Sequence, residues 1–354
     1  MSIKNRKELK EYFYQTLLKK QDLEEDQERL ETKPKSFIIE SNNSPEEVFK
    51  GEWKIFETED PELKKIKFND NLEFFLDILD KRFWILHSLD SSKESWDVLR
   101  SLIKENNSKL DFIWLPSAIL EKIGEFGKQT SFGLKFDNKF IEDEESIEQV
   151  SMWFWGGPAK EIMNDLKNNS KIKQAITISN LGIKYSPNKD FYIKDNVSSF
   201  GKFTVIKGDA IEPHFNLVNR IKNLYSELLN KIENEYRINY GKEDSRIKIE
   251  GDYLLLKFSQ PLNDLHKFIE TLTSCNGVFR IWGLWNEIEK DYIKANCVDL
   301  HAGHKFSLEL SHEWMRIYLD KETCGNIITR LFTNLQRSFD AKIELYGVAN
   351  ERIM

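Results

Sequence analysis

The chain has 354 residues, of which 40% are hydrophobic and 31% charged, and its net charge is −7. That composition excludes a disordered or membrane-embedded chain, and no apolar run approaches the roughly 20 residues that span a bilayer. The negative sign counts against a protein whose main business is coating nucleic acid. The charged start, Met1 to Lys10, lacks the apolar stretch of a secretory signal, so a cytoplasmic location is expected.

At about 150 residues per domain, two or three domains are expected. Asn5 to Glu31 reads as a charged helix with Leu9, Phe13, Leu17 and Leu18 on one side, followed by a linker at Thr32–Ser36. Leu72, Phe75, Leu76 and Leu79 follow helical spacing behind Asn69-Asp70. Phe83–His87 reads as a buried strand. Ser91 and Glu94 form a capping box ahead of a helix carrying Trp96, Leu99 and Ile103. A strand at Leu110–Leu115, a helix from Pro116-Ser117 ending near Gly127, and a strand through Phe132, Leu134 and Phe136 complete an α/β alternation, which predicts neighbouring parallel strands. The run Glu142–Glu145 is an expected exposed loop and an internal boundary.

Trp153-Phe154-Trp155-Gly156-Gly157-Pro158 is read as opening a helix that reaches Asn168. Strands are expected near 175–179, 191–197 and 202–207. A long helix begins at Pro213, with Leu217, Ile221, Leu224, Leu228 and Ile232 along one side. Gly241–Ser245 is a polar break. Beyond it Leu254, Leu256 and Phe258 alternate, and Leu262 to Leu272 reads as a helix. Asn276-Gly277 turns into a strand at Val278–Trp282, and three strands follow near 293–300, 305–310 and 315–319. Asp320 is the expected cap of a helix with Ile328, Leu331, Leu335 and Phe339 inward, and Ile343 and Leu345 close the sheet.

The expected architecture is therefore α+β and multidomain: a charged N-terminal helix and linker (1–34), an α/β domain (35–150), an α+β domain (151–245) and a helix-on-sheet domain (246–354). The last has β-α-β4-α-β order, which resembles the topology shared by TATA-binding proteins and lipid-binding helix-grip domains. That resemblance is one of element order and carries no function by itself.

Cys275, Cys297 and Cys324 are odd in number and lack CxxC spacing, so reduced thiols are expected rather than a disulfide framework or a zinc site. No GxGxxG, GxxxxGK, GxSxG or HExxH occurs. No metal or cofactor is predicted. His301-Ala302-Gly303-His304 is read as a hairpin turn, with His301 opposite Lys305, rather than as a metal pair. Asp209, Glu212 and His214 at the start of the long helix are the candidate acid/base set. His87 with Ser88 and Asp90 is a weaker one.

Candidate ligand-binding residues are Trp153, Trp155, Gly156, Gly157, Trp282 and Trp285: the glycines leave amides free at a helix start, and tryptophans can stack a ring. Between Lys160 and Lys207 there are nine lysines, three aspartates, one glutamate and no arginine, a surface that binds phosphates only if the lysines are coplanar. The function expected is that of an intracellular, non-catalytic binding or regulatory protein holding a protein partner or small ligand. The alternatives are an enzyme of unfamiliar family with a His-centred site, and a nucleic-acid binder using the lysine-rich face.

Overall fold

The computed structural model describes residues 3–21, 33–137, 149–168, 175–187, 190–243, 246–275 and 278–354. The readings at Glu142–Glu145, at Asn276-Gly277 and over 22–32 fall outside them. In chain order the elements begin with α1 (Arg6–Gln21), β1 (Lys35–Ser41), α2 (Pro45–Val48), β2 (Trp53–Glu57), β3 (Leu63–Phe68), β4 (Leu72–Asp77), β5 (Phe83–Ser88), α3 (Ser92–Glu105), β6 (Leu110–Phe112) and α4 (Ser117–Gly124). Next come β7 (Lys128–Asp137), β8 (Gln149–Trp155), α5 (Ala159–Asn168), β9 (Ile178–Tyr185), β10 (Ile193–Ser198), β11 (Lys202–Gly208) and α6 (Glu212–Tyr236). The remainder is β12 (Arg237–Glu243), β13 (Arg246–Glu250), β14 (Leu254–Lys257), α7 (Leu265–Thr273), β15 (Ile281–Glu289), β16 (Tyr292–Asp299), β17 (Lys305–Leu310), β18 (Trp314–Asp320), α8 (Asn326–Ser338) and β19 (Glu344–Tyr346).

The fold is mixed α+β and built on two large, mainly antiparallel sheets. The first runs β2-β3-β4-β5-β1-β11-β10-β9-β7-β8, with β6 also on β1. Its centre is β1, whose seven residues are all buried. Alternate side chains serve two layers. Phe37 and Ile39 join the cluster of Trp84, Leu86, Leu99 and Ile103 under α3, and Ile38 joins the larger core with Phe203, Val218 and Ile221 under α6. Farther along, the α3 side of the sheet turns polar: Asn180, Asn196 and Ser198 alternate with buried Leu181, Asp195 and Val197. No apolar stripe calls a helix onto that stretch, and it stays open.

The second sheet runs β13-β12-β18-β17-β16-β15, with β14 on β18 and β19 on β14. Its pairs are antiparallel except for β12 beside β18. From β14 to β19 the chain follows the β-α-β4-α-β order read from the sequence, and the helices lie inward: Ile269 on α7 and Leu331 and Leu335 on α8 belong to the core cluster that also holds residues of the first sheet. Among the described residues no helix is long and apolar enough to cross a membrane.

Several local expectations are corrected. Residues 72–77 are a strand, not a helix: Phe74 and Leu76 enter one core and Phe75 the other, and a strand buried on both faces imitates helical spacing. Asn69 and Asp70 adopt φ of 49° and 58°, the left-handed turn of the β3–β4 hairpin. β5 and β6 do run parallel, but β1 lies between them and pairs antiparallel with each, so they are not neighbours.

Trp153 and Trp155 end the edge strand β8 instead of opening a helix. Asp320 ends β18, and α8 is capped at Gly325. At the 301–304 turn Val298 pairs with Lys305 and Cys297 with Phe306, so Ile293, Ala295 and Cys297, rather than Val298 and Leu300, face the core beside Phe306 and Leu308. Of the polar break at 241–245, residues 241–243 belong to β12 and pair with β13, and 244–245 lie outside the described residues.

Candidate functional site

The open part of the first sheet forms the floor of a cleft of about 1050 Å³. One wall is α3, with Trp96, Arg100 and Lys104; the opposite wall comes from the C-terminal sheet unit, with Arg280, Asn334 and Arg337. Charge is segregated here against the sign of the whole chain. Arg100, Lys104, Lys135, Lys202, Arg280 and Arg337 border the cleft, against Asp97 and Asp137.

Aromatic rings fill the end beneath α3. Trp96 lies 5.2 Å from Phe112, and Phe200 packs 5.2 Å from Trp114 and 5.7 Å from Phe112. Trp114 is 5% exposed and among the described residues its indole N–H has no hydrogen-bond partner. A buried donor without an acceptor costs about 1–3 kcal/mol, so such groups call for an explanation.

Two cations carry the same signature. The Arg337 guanidinium lies over the Phe200 ring at 4.5 Å and donates to the Ser199 hydroxyl, while its Nε is buried without a partner among the described residues. Burial pulls its pKa down to about 10. Lys202 Nζ donates to Ser92 Oγ at 2.8 Å and to the Ser92 carbonyl at 3.2 Å, and it lies 5.7 Å from the Trp96 ring. Burial lowers its pKa to about 8, with Asp97 opposing. Among the described residues neither cation has an ion-pair partner.

Arg280, by contrast, is 3.3 Å from Asp111. Asp111 also holds Arg330, whose other arm pairs with Asp299. Burial alone would raise the Asp111 pKa, but Arg330 and Arg280 outweigh it and hold the carboxyl below its usual range. This buried network ties β6 to β16 and α8, and so fixes the helix that carries Arg337.

Toward the sheet edge the floor continues into a second cavity of about 510 Å³, bordered by Lys128, Lys184, Lys194, Trp155, Gly156 and Gly157. β8 alternates, with Ser151, Trp153 and Trp155 exposed and Met152 and Phe154 turned inward. Trp153 and Trp155 are 42% and 71% exposed and stack on each other at 5.8 Å and 16°. Trp153 lies flat because its neighbour is Gly133, where an added Cβ would meet the indole at 3.2 Å. Trp153 borders the larger cavity and Trp155 the smaller, so the pair bridges the two.

The remaining sequence candidates separate. Trp282 and Trp285 lie on the edge strand β15 of the other sheet and point to opposite faces, Trp282 outward and Trp285 against His266 at 5.2 Å. Asp209 accepts from the Tyr192 amide at 2.7 Å, and Glu212 is exposed. His214 instead places Nδ1 2.8 Å from Asp195 and Nε2 2.8 Å from Ser36, whose hydroxyl is also 2.7 Å from His87 Nδ1. Ser88 donates to the Glu73 carbonyl, and Asp90 accepts from the Glu73 amide.

Ser36, His214 and Asp195 have the connectivity of a nucleophile triad. These three residues and His87, however, are at most 2% exposed, and Phe13 and Phe215 pack on His87. Burial holds His87 neutral, with a pKa of about 3. The set pins β1, β5, β10 and α6 together.

The family model for MJECL33-like proteins matches residues 1–354. The chain belongs to the MJECL33-like family. A Methanocaldococcus jannaschii protein bearing the name Uncharacterized protein MJECL33 is 30% identical over 362 aligned residues, covering 88% of this chain and 87% of that protein. No solved structure matches. Neither description states an activity, so the chemistry of the cleft rests on its own geometry.

Proposed function

We propose that this MJECL33-like protein is a non-catalytic binding protein whose cleft holds a ligand combining phosphate with aromatic rings, that is, a ligand of the nucleotide class. The observation that carries this reading is the pair Arg337 and Lys202: two desolvated cations with no ion-pair partner among the described residues, set against Trp96, Trp114 and Phe200. A protein keeps an uncompensated buried charge at a cost in stability, and an external anion relieves it. Guanidinium suits phosphate oxygens, and the ring wall suits bases.

In this reading the C-terminal unit, with its TBP-like or helix-grip element order, serves as the second wall of the cleft rather than as a separate platform. An intracellular setting goes with such ligands and with the three unpaired cysteines. The enzyme alternative centred on His214 lacks access, since the histidine is fully buried.

The test is a titration of tryptophan fluorescence with a single-stranded trinucleotide, with the free nucleosides as controls. Saturable quenching by the trinucleotide, weakened at least tenfold in Arg337→Met, is expected. Equal binding by uncharged nucleosides, or an Arg337→Met protein that binds as tightly as the parent, would reject a phosphate-holding cleft.

A further inference from the structure

The ligand class can be narrowed by a feature outside the cleft. In the register of the first sheet Lys128 is opposite Lys184, Lys184 opposite Lys194, and Lys194 opposite Lys207. Directly opposed residues share a face, so one rung of four lysines crosses β7, β9, β10 and β11. At about 4.8 Å between strands the rung spans roughly 14 Å. Like charges placed directly opposite one another destabilise a sheet, and among the described residues none of the four has an ion-pair partner. Lys184 instead lies 4.1 Å over the Tyr192 ring.

The rung lies beside the smaller cavity, where the buried Asn196 side-chain oxygen has no hydrogen-bond partner among the described residues. Asp195 alternates with Lys194 and Asn196 along β10 and so turns inward to His214, away from the rung, and the extra residue that brings Lys207 opposite Lys194 is Ile206 on β11. Between the rung and the cleft stands the Trp153–Trp155 stack. Cations, rings and cations thus follow one another along a single open face.

We propose that this face binds single-stranded nucleic acid, with the strand entering the cleft at Arg337 and Lys202, stacking bases on Trp153 and Trp155, and laying its outer phosphates along Lys128, Lys184, Lys194 and Lys207. This rests on the reading of the cleft given above. A single phosphate group cannot reach both cationic groups, because Lys194 on the rung stands four residues along β10 from Ser198 at the cleft, about 13 Å. A chain of phosphates can, and stacking plus backbone charge is the usual composition of sequence-tolerant strand binding. A duplex does not suit the site, since its bases are not free to stack on the tryptophans.

The experiment compares a single-stranded trinucleotide with a twelve-nucleotide strand across a salt series, using the full chain and the triple variant Lys128→Gln, Lys184→Gln, Lys194→Gln. The parent is expected to bind the longer strand at least tenfold more tightly than the trinucleotide. The variant should lose most of that gain and about 2 from the slope of log affinity against log salt, while holding the trinucleotide as before. Trp155→Ala should also weaken the longer strand about tenfold without changing salt slope.

If the trinucleotide binds, and the longer strand gains nothing or the triple variant matches the parent, the strand path is wrong and the cleft reading stands. If neither strand binds, both fall. Polyglutamate competing as well as the twelve-nucleotide strand, with Trp155→Ala unchanged for both, would show an acidic-protein surface and overturn the proposal.

Discussion

Arg337→Met separates a binding residue from a structural one, because the two roles predict opposite signs of stability change. Holding the guanidinium at about 10 rather than at its ordinary value corresponds to a penalty of about 3 kcal/mol. Set against it are about 1 kcal/mol for the bond to Ser199, about 0.5 kcal/mol for the contact with Phe200, and about 0.5 kcal/mol for a cation in the last turn of α8. Methionine keeps an apolar stem over Phe200 and removes the charge. The variant should therefore gain about 1 kcal/mol in stability while losing a charge-assisted contact of about 1.5–3 kcal/mol to the phosphate ligand, ten- to a hundredfold in affinity. Urea denaturation at pH 7 measures the first and the trinucleotide titration the second. A variant that loses 1 kcal/mol or more in urea, and binds as the parent does, would refute the argument and make Arg337 a structural cation.

Further outcomes follow from the same structure. Lys202, with a pKa of about 8, loses its charge in the free protein as pH rises, so affinity for the ligand should fall between pH 8 and 9.5. Folding stability should rise over the same span, because the unfolded chain keeps the proton to a higher pH; Lys202→Met should abolish both trends. His87, held neutral to about pH 3, makes the unfolded chain the better proton acceptor below pH 6.5. This group should cost about 2 kcal/mol of stability between pH 7 and pH 5, read from urea midpoints and much reduced in His87→Gln. Arg330→Ala strands Asp299 in the core, leaves Asp111 with Arg280 alone, and should cost about 3–5 kcal/mol, seen as a large drop in the urea midpoint.

Parts of this molecule were legible from side-chain periodicity alone. The 3.6-residue stripe of Leu217, Ile221 and Ile232 marks α6, and the alternation in β17 and β18 and the Ser91 cap of α3 are likewise local signals. Where both faces of a strand are buried the period disappears, as in β4 and β1, and a strand then looks like a helix or like nothing. β8 was hidden for a related reason: tryptophans on the open face and Phe154 on the core face give Trp-Phe-Trp, which is uniformly apolar although it alternates in exposure.

Trp153, Trp155, Gly156 and Gly157 could be picked out as ring-stacking and glycine-rich candidates, but composition could not show that they stand beside Lys128, Lys184 and Lys194. A stripe of Asn326, Arg330, Asn334 and Arg337 runs along α8 at spacings of four and three, and from sequence it reads as the solvent side. The first three are buried, because the polar side of α8 packs against β6 and the chain near Phe279 and so meets Asp111, Asp299 and backbone carbonyls.

The sequence by itself determined element types wherever one face met water, together with the order of elements from β14 to β19, since both depend on neighbours within a few residues. Tertiary structure alone decided that β1 would wedge between β5 and β11, that His214 would meet Asp195 and Ser36 instead of Asp209, and that cations from β11 and α8 would converge on one ring-walled cleft. Those are encounters between residues tens to hundreds of positions apart. They are fixed by sheet register and the packing of α8, and no local pattern records them.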